Sequence, residues 1–249
     1  MHLPLNKPGF YFFVFGGVMV QYNIHYIVKK NSYAESSRLK WSKKNRGTHS
    51  LLIIAGLVLL ITGLFCFKRS DFIFLLIPGI ITLMYSLPLL PLANKKRLKD
   101  FGILKIITLV MIWTVITVWL PVHEFSYTDK SFFLIFIRRF IFLFALCLVF
   151  DIRDIEIDTK ENIRTIPIII GIKKTHILDY ILLCVFILLT IIQYLQTPGI
   201  GHLNAMIVSA AATFFMIEYI KKNKSDIAYL ACIDGMMLLQ ALLVIIGSI

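Results

Sequence analysis

Three aspartates, Asp151, Asp154 and Asp158, stand at i, i+3 and i+7, directly after a long apolar run. If a helix continues through them, a rotation of ~100° per residue places them near ~0°, ~300° and ~340°, on one face. Three carboxylates on one face repel one another unless a cation lies between them. A hard divalent ion such as Mg2+ takes oxygen ligands and bridges carboxylates to substrate phosphates. The neighbouring Arg153, Lys160 and Arg164 suit the remaining phosphate charge. A second reading stands beside this one. Acids and bases between Asp151 and Lys174 balance five against five, so the segment can equally be a solvated face laced with ion pairs, which need no ligand.

The elements that must position these residues are apolar. Of 249 residues, 58% are hydrophobic and 16% charged, with a mean hydropathy of +0.82. That exceeds the apolar share that one soluble core of this length can bury. A spanning helix needs about 20 mostly apolar residues. Eight stretches qualify, at about 9–28, 49–67, 71–92, 103–121, 131–150, 176–193, 203–220 and 227–247. They do not alternate, which excludes a barrel, and helices satisfy their own backbone in lipid. The expected fold is all-α: a polytopic membrane helix bundle of about eight transmembrane helices, with residues 1–249 as a single domain. The first apolar stretch lacks a basic start and a small-residue cleavage site, so it reads as a membrane helix.

The formal net charge is +12. Nucleic acid is not the expected partner, because the charges sit in short loops between apolar stretches. Most of the 26 Lys and Arg lie in the loops after the first, third, fifth and seventh helices, while the opposite loops hold only Lys7, Lys68, Arg69 and Lys130. This bias places the four rich loops, the aspartate segment among them, in the cytoplasm and both termini outside. A multi-pass protein of a bacterial inner membrane is the expectation, and nothing in the sequence names a protein partner. Cys66, Cys147, Cys184 and Cys232 lack metal or redox spacing and read as small core residues.

The segment D-x-x-D-x-x-x-D, followed by R-T-x-P and a Gly, resembles the second aspartate-rich motif of the UbiA superfamily of intramembrane prenyltransferases. The matching residues are Asp151, Asp154, Asp158, Arg164, Thr165, Pro167 and Gly171. Tyr85-Ser86-Leu87-Pro88-Leu89 is similar to the family's tyrosine motif. The order of elements fits nearly the whole chain, as if the family's first helix were absent. The resemblance implies transfer of a prenyl group from an isoprenoid diphosphate to a hydrophobic acceptor, often an aromatic ring. It implies Mg2+ bound by Asp151, Asp154 and Asp158, with Arg153, Lys160, Arg164, Asn23, Tyr85 and Lys105 toward the diphosphate. Snorkelling is the other reading of Lys105.

The family's first motif, N-D-x-x-D-x-x-x-D, is missing. The corresponding stretch is Asn23-Ile24-His25-Tyr26-Ile27: Asn23 matches and the aspartates do not. Leu90 also stands where a lysine is expected after the tyrosine motif. Three outcomes are open: His25 or nearby basic residues substitute, one metal serves a different polyprenyl substrate, or the chain is a non-catalytic relative that binds isoprenoid or acts as a scaffold. Arg138 and Arg139 lie inside the fifth apolar run. They either face the bundle interior or snorkel to the outer interface. Asp234 reads as an interior polar partner on the last helix.

Overall fold

The computed structural model describes residues 7–28, 41, 44–65, 67, 72–87, 97–122, 130–223, 225 and 228–248. Helices occupy all eight apolar stretches. They are α1 (Pro8–Val28), α2 (Arg46–Leu64), α3 (Phe72–Ser86), α4 (Gly102–Val122), α5 (Lys130–Arg153), α8 (Ile172–Gln196), α9 (Ile200–Lys222) and α10 (Asp234–Ser248). Two short helices, α6 (Ile155–Lys160) and α7 (Ile166–Ile170), lie between α5 and α8. There is no strand among the described residues. Among the described residues, six helices are long and apolar enough to cross a membrane: α2, α4, α5, α8, α9, and α10 with the π-helical turn Tyr229–Ile233 that leads into it. A second π turn, Val115–Trp119, lies within α4. At 15 residues α3 is short for a span. The chain is an all-α polytopic membrane protein. Basic residues such as Lys29, Lys30, Lys95 and Lys96 lie outside the described residues.

The chain folds as two compact units, Met1–Thr108 and Leu109–Ile249. In the first, α1 and α2 are antiparallel and so close that glycines are required. A Cβ on Gly16 would stand 2.5 Å from the Gly56 carbonyl oxygen, and one on Gly63 would stand 2.6 Å from that of Gly9. Small residues let helices approach where lipid supplies no hydrophobic drive for association. Gln21 of α1 reaches α3, donating to the Thr82 carbonyl oxygen at 3.1 Å and to Ser86 Oγ.

In the second unit, Phe142, Leu146 and Val149 of α5, Leu183 and Phe186 of α8, and Met206, Ala210 and Ile217 of α9 belong to one buried apolar cluster. The rings of Phe142 and Phe186 lie 5.2 Å apart. Tyr229, Ile233 and Met236 complete this core. Two expectations fail here. Asp234 is exposed, because the buried stripe runs through Ile233, Met236 and Gln240, and the interior polar group on α10 is Gln240. Cys184 is exposed, and Cys147 and Cys232 are half-buried, so these cysteines are not deep core residues.

Gly16→Ala is expected to cost about 1–3 kcal/mol through overpacking against the α2 backbone. Gly79→Ala, where an added Cβ meets nothing within 4 Å, is expected to be neutral or stabilising. Thermal unfolding of both variants in detergent checks the contrast.

Candidate functional site

The aspartate segment does not continue as one helix. α5 ends at Arg153, and Asp154 takes φ −87°, ψ 4° at the junction with α6. The uninterrupted helix on which the one-face reading rested is therefore not realised. Asp151, at the end of α5, and Asp158, on α6, are each only 4% exposed. Asp154 sits at the break and is gripped in a fork. Arg153 Nε donates to its Oδ1 at 2.7 Å and Nη2 to its Oδ2 at 3.1 Å. The guanidinium carbon stands 4.9 Å from the Phe150 ring centroid and 5.9 Å from that of Tyr229. Bidentate pairing and ring stacking both fix a guanidinium's plane.

The segment then folds back. Ile163 N–H donates to the Asp158 carbonyl oxygen at 2.8 Å, and Asn162 takes φ 56°, a left-handed conformation that Asn tolerates better than most residues. Thr165 is fully buried and precedes α7, with buried Pro167 in the first turn of that helix. Gly171, at φ 84°, joins α7 to α8. No neighbour crowds it, so the need for glycine there is conformational. The R-T-x-P and Gly elements thus shape the return of the chain, while Arg164 and Lys160 are exposed. Among the described residues, no three His, Cys, Asp or Glu side chains form a group that could hold a metal ion.

The other predicted residues belong to the first unit. Asn23 is committed within it. Its Nδ2 donates to the Met19 carbonyl oxygen at 2.7 Å, and its Oδ1 lies 2.7 Å from His49 Nδ1. His49 is 5% exposed and edge-on to Trp41. Tyr85 is half-buried beside Ser86, the acceptor of the Gln21 contact. Asn23 and Tyr85 thereby lie near the same ends of α1 and α3. Lys105 is half-buried in the first turn of α4. The side chain of His25 lies outside the described residues.

Sequence reasoning missed a polar cluster between α8 and α9. Tyr180 Oη donates to Glu218 Oε1, and Lys221 Nζ donates to Tyr180 Oη and, at 2.6 Å, to Glu218. Asp179 is completely buried, its carboxylate 3.6 Å from His176 Nδ1. Neither of its oxygens has a hydrogen-bond partner among the described residues. The stripe Thr175, Asp179, Leu183, Phe186 and Thr190 was the available signal: Asp179 occupies an inward position at helical spacing.

Buried apolar helices, cross-helix polar pins and a buried acidic return loop define a polytopic helical membrane protein. The model of the UbiA prenyltransferase family matches residues 42–232. That is well over half of the chain, and the chain belongs to this family, one of membrane prenyltransferases. No curated protein and no solved structure matches it.

Burying a carboxylate that accepts no hydrogen bond and has only an imidazole 3.6 Å away is unfavourable. Asp179→Leu is therefore expected to stabilise the protein by about 1–3 kcal/mol, seen as a higher unfolding temperature in detergent. A lower temperature would mean that the carboxylate has a stabilising partner.

Proposed function

We propose that the chain transfers a prenyl group from an isoprenoid diphosphate to a hydrophobic acceptor, aromatic or lipid, at the segment from Asp151 to Gly171. The observation that carries this is the burial of Asp151 and Asp158 at the end of an apolar helix in a chain of this family. Two carboxylates, hard-oxygen donors of the kind that hold Mg2+, are held out of water there.

Members of the family generally use a divalent metal. The donors here fit Mg2+ in chemistry: all are hard oxygens, and Mg2+ is commonly held by one or two carboxylates plus substrate phosphates and not by a full protein cage. Asp151 and Asp158 would hold it, with Asp154 joining once released from Arg153. Bound there, the metal would supply Lewis acidity to the leaving diphosphate. Arg153, Lys160 and Arg164 would bind diphosphate oxygens, the two exposed side chains making the first contacts. The apolar core of Phe142, Leu146 and Val149 would keep water from the allylic cation formed as the carbon–oxygen bond breaks. On the resemblance alone, Asn23, Tyr85 and Lys105 are assigned to the diphosphate as well. The family match runs through both compact units, which supports treating 1–249 as one functional domain. Charge bias supports a cytoplasmic aspartate segment in a bacterial inner membrane.

A second reading, a non-catalytic isoprenoid-binding or scaffold protein, is favoured by one observation. The family's first aspartates are absent, and the Asn23 side chain is engaged by His49 and Met19.

Purified protein incubated with labelled prenyl diphosphates, Mg2+ and aromatic or lipid acceptors is expected to form prenylated product. Asp151→Asn or Asp158→Asn should lower the rate about 100-fold or more, as loss of several kcal/mol of charge stabilisation implies. Chelation of divalent ions should abolish turnover. Co-purified isoprenoid lipid with no product under any condition would establish the second reading.

Arg153→Lys tests the fork separately. It keeps the charge and loses the bidentate, stacked geometry. The expectation is an altered Mg2+ concentration for half-maximal rate with an unfolding temperature close to wild type, since the pair is partly exposed.

A further inference from the structure

We infer that the second unit carries an oxyanion-binding site built on Arg138 and Arg139, remote from the aspartate segment and taking a phosphate-type group. Arg138 precedes Asp151 by 13 positions on the same helix, a separation of ~20 Å along the axis. It lies inside the apolar stretch Phe132–Arg153 and is 4% exposed, so the interior reading of this arginine holds and the snorkelling one does not. Arg139 is half-buried.

The two side chains fan out to four helices. Arg138 Nη1 donates to Gln193 Oε1 on α8, and its Nη2 lies 3.1 Å from His202 Nε2 on α9. Arg139 Nη1 donates to Gln240 Oε1 on α10, and its Nε lies 3.4 Å from Thr117 Oγ1 in the π turn of α4. Gln240 is itself held by Met206 Sδ at 3.8 Å. Two amides, a hydroxyl and an imidazole accepting at Nε2 are all neutral. They satisfy hydrogen-bond geometry and leave the charge unanswered.

Guanidinium remains protonated in proteins, and an ionisable group at membrane depth is stable only with a counter-charge or water. Among the described residues no carboxylate pairs with either arginine. Two adjacent cations raise each other's need for an anion. Each guanidinium has five N–H donors in a planar fork, and the described contacts occupy only part of each fork. The remaining donors suit a group that offers a pair of oxygens to each fork, as phosphate and phosphate esters do. A purely structural brace would be as well made by neutral amides. The pair of charges is what a brace does not need and an anion site does. The source of the phosphate is either an anionic lipid headgroup in the leaflet away from the aspartate segment or free phosphate in solution. The site does not depend on prenyl transfer.

The test uses the full chain in nanodiscs of phosphatidylcholine, with or without phosphatidylglycerol, and in phosphatidylcholine discs titrated with inorganic phosphate. Native mass spectrometry reads retained lipid and thermal unfolding reads stabilisation. With a lipid source, wild type retains phosphatidylglycerol over phosphatidylcholine, and Arg138→Gln/Arg139→Gln lowers that preference at least 10-fold. With a soluble source, phosphate raises the wild-type midpoint in neutral discs and leaves the double variant unmoved. The single variants Arg139→Gln and Arg138→Lys carry the comparison if the double variant does not fold, the first weakening and the second largely retaining anion binding. A wild type indifferent to both phosphatidylglycerol and phosphate overturns the inference. So does an anion preference that survives in Arg139→Gln and the double variant alike.

Discussion

Hydrocarbon offers no hydrogen bonds, and a backbone polar group left open to it costs several kcal/mol. That constraint produces nearly uninterrupted helix in this chain and governs how its polar side chains behave. Hydroxyls turn back onto their own helices: Thr82 to Pro78, Thr114 to Val110, Thr190 to Phe186 and Thr213 to Ser209, all to the carbonyl four residues earlier. The Thr82 contact falls on the carbonyl of Pro78 itself, the proline inside α3. Longer polar side chains bond across helices, as Gln21 does to Ser86 and Asn23 to His49. Glycine provides the remaining device, bringing two backbones together where side chains would hold them apart.

The acidic segment works on the opposite plan. It is where regular helix stops, and the break falls at a residue whose carboxylate is clamped by its neighbour, Arg153. The clamp removes one negative charge from the set and leaves Asp151 and Asp158 buried on either side of the junction. A continuous helix would have carried all three acids outward along its axis. The break, followed by the left-handed Asn162 and the positive φ of Gly171, folds the segment back instead. The three acids are thereby gathered where α5 gives way to α6.

The eight helices were legible because unbroken apolar runs of about 20 residues have few alternatives, and the family was legible in the spacing of Asp151, Asp154, Asp158, Thr165, Pro167 and Gly171. The break at Asp154 was not. No proline or glycine marks it, and the Arg153–Asp154 fork is a side-chain event between adjacent residues that periodicity does not register. His49 was invisible as the partner of Asn23, since 26 positions separate them and only the close packing of α1 and α2 brings them together. Asp179 sat inside a run read as purely apolar, and the polar face of α10 was assigned to Asp234 when Gln240 holds it.

The two π turns have a consequence for how this protein can vary. Each accommodates one residue more than an α-helical turn, so the residues after it lag by ~100° the phase that an uninterrupted α-helix would give them. Gln240 meets Arg139 in that lagging phase, and Thr117 meets the same arginine from within the other turn. Deleting a single residue within Tyr229–Ile233 would close that turn to α-helical geometry and leave Gln240 where it is, whereas the same deletion in the regular helix before Gln240 would swing it out of register by ~100°. The two π turns are thus the places where these helices can lose a residue and keep their rotation.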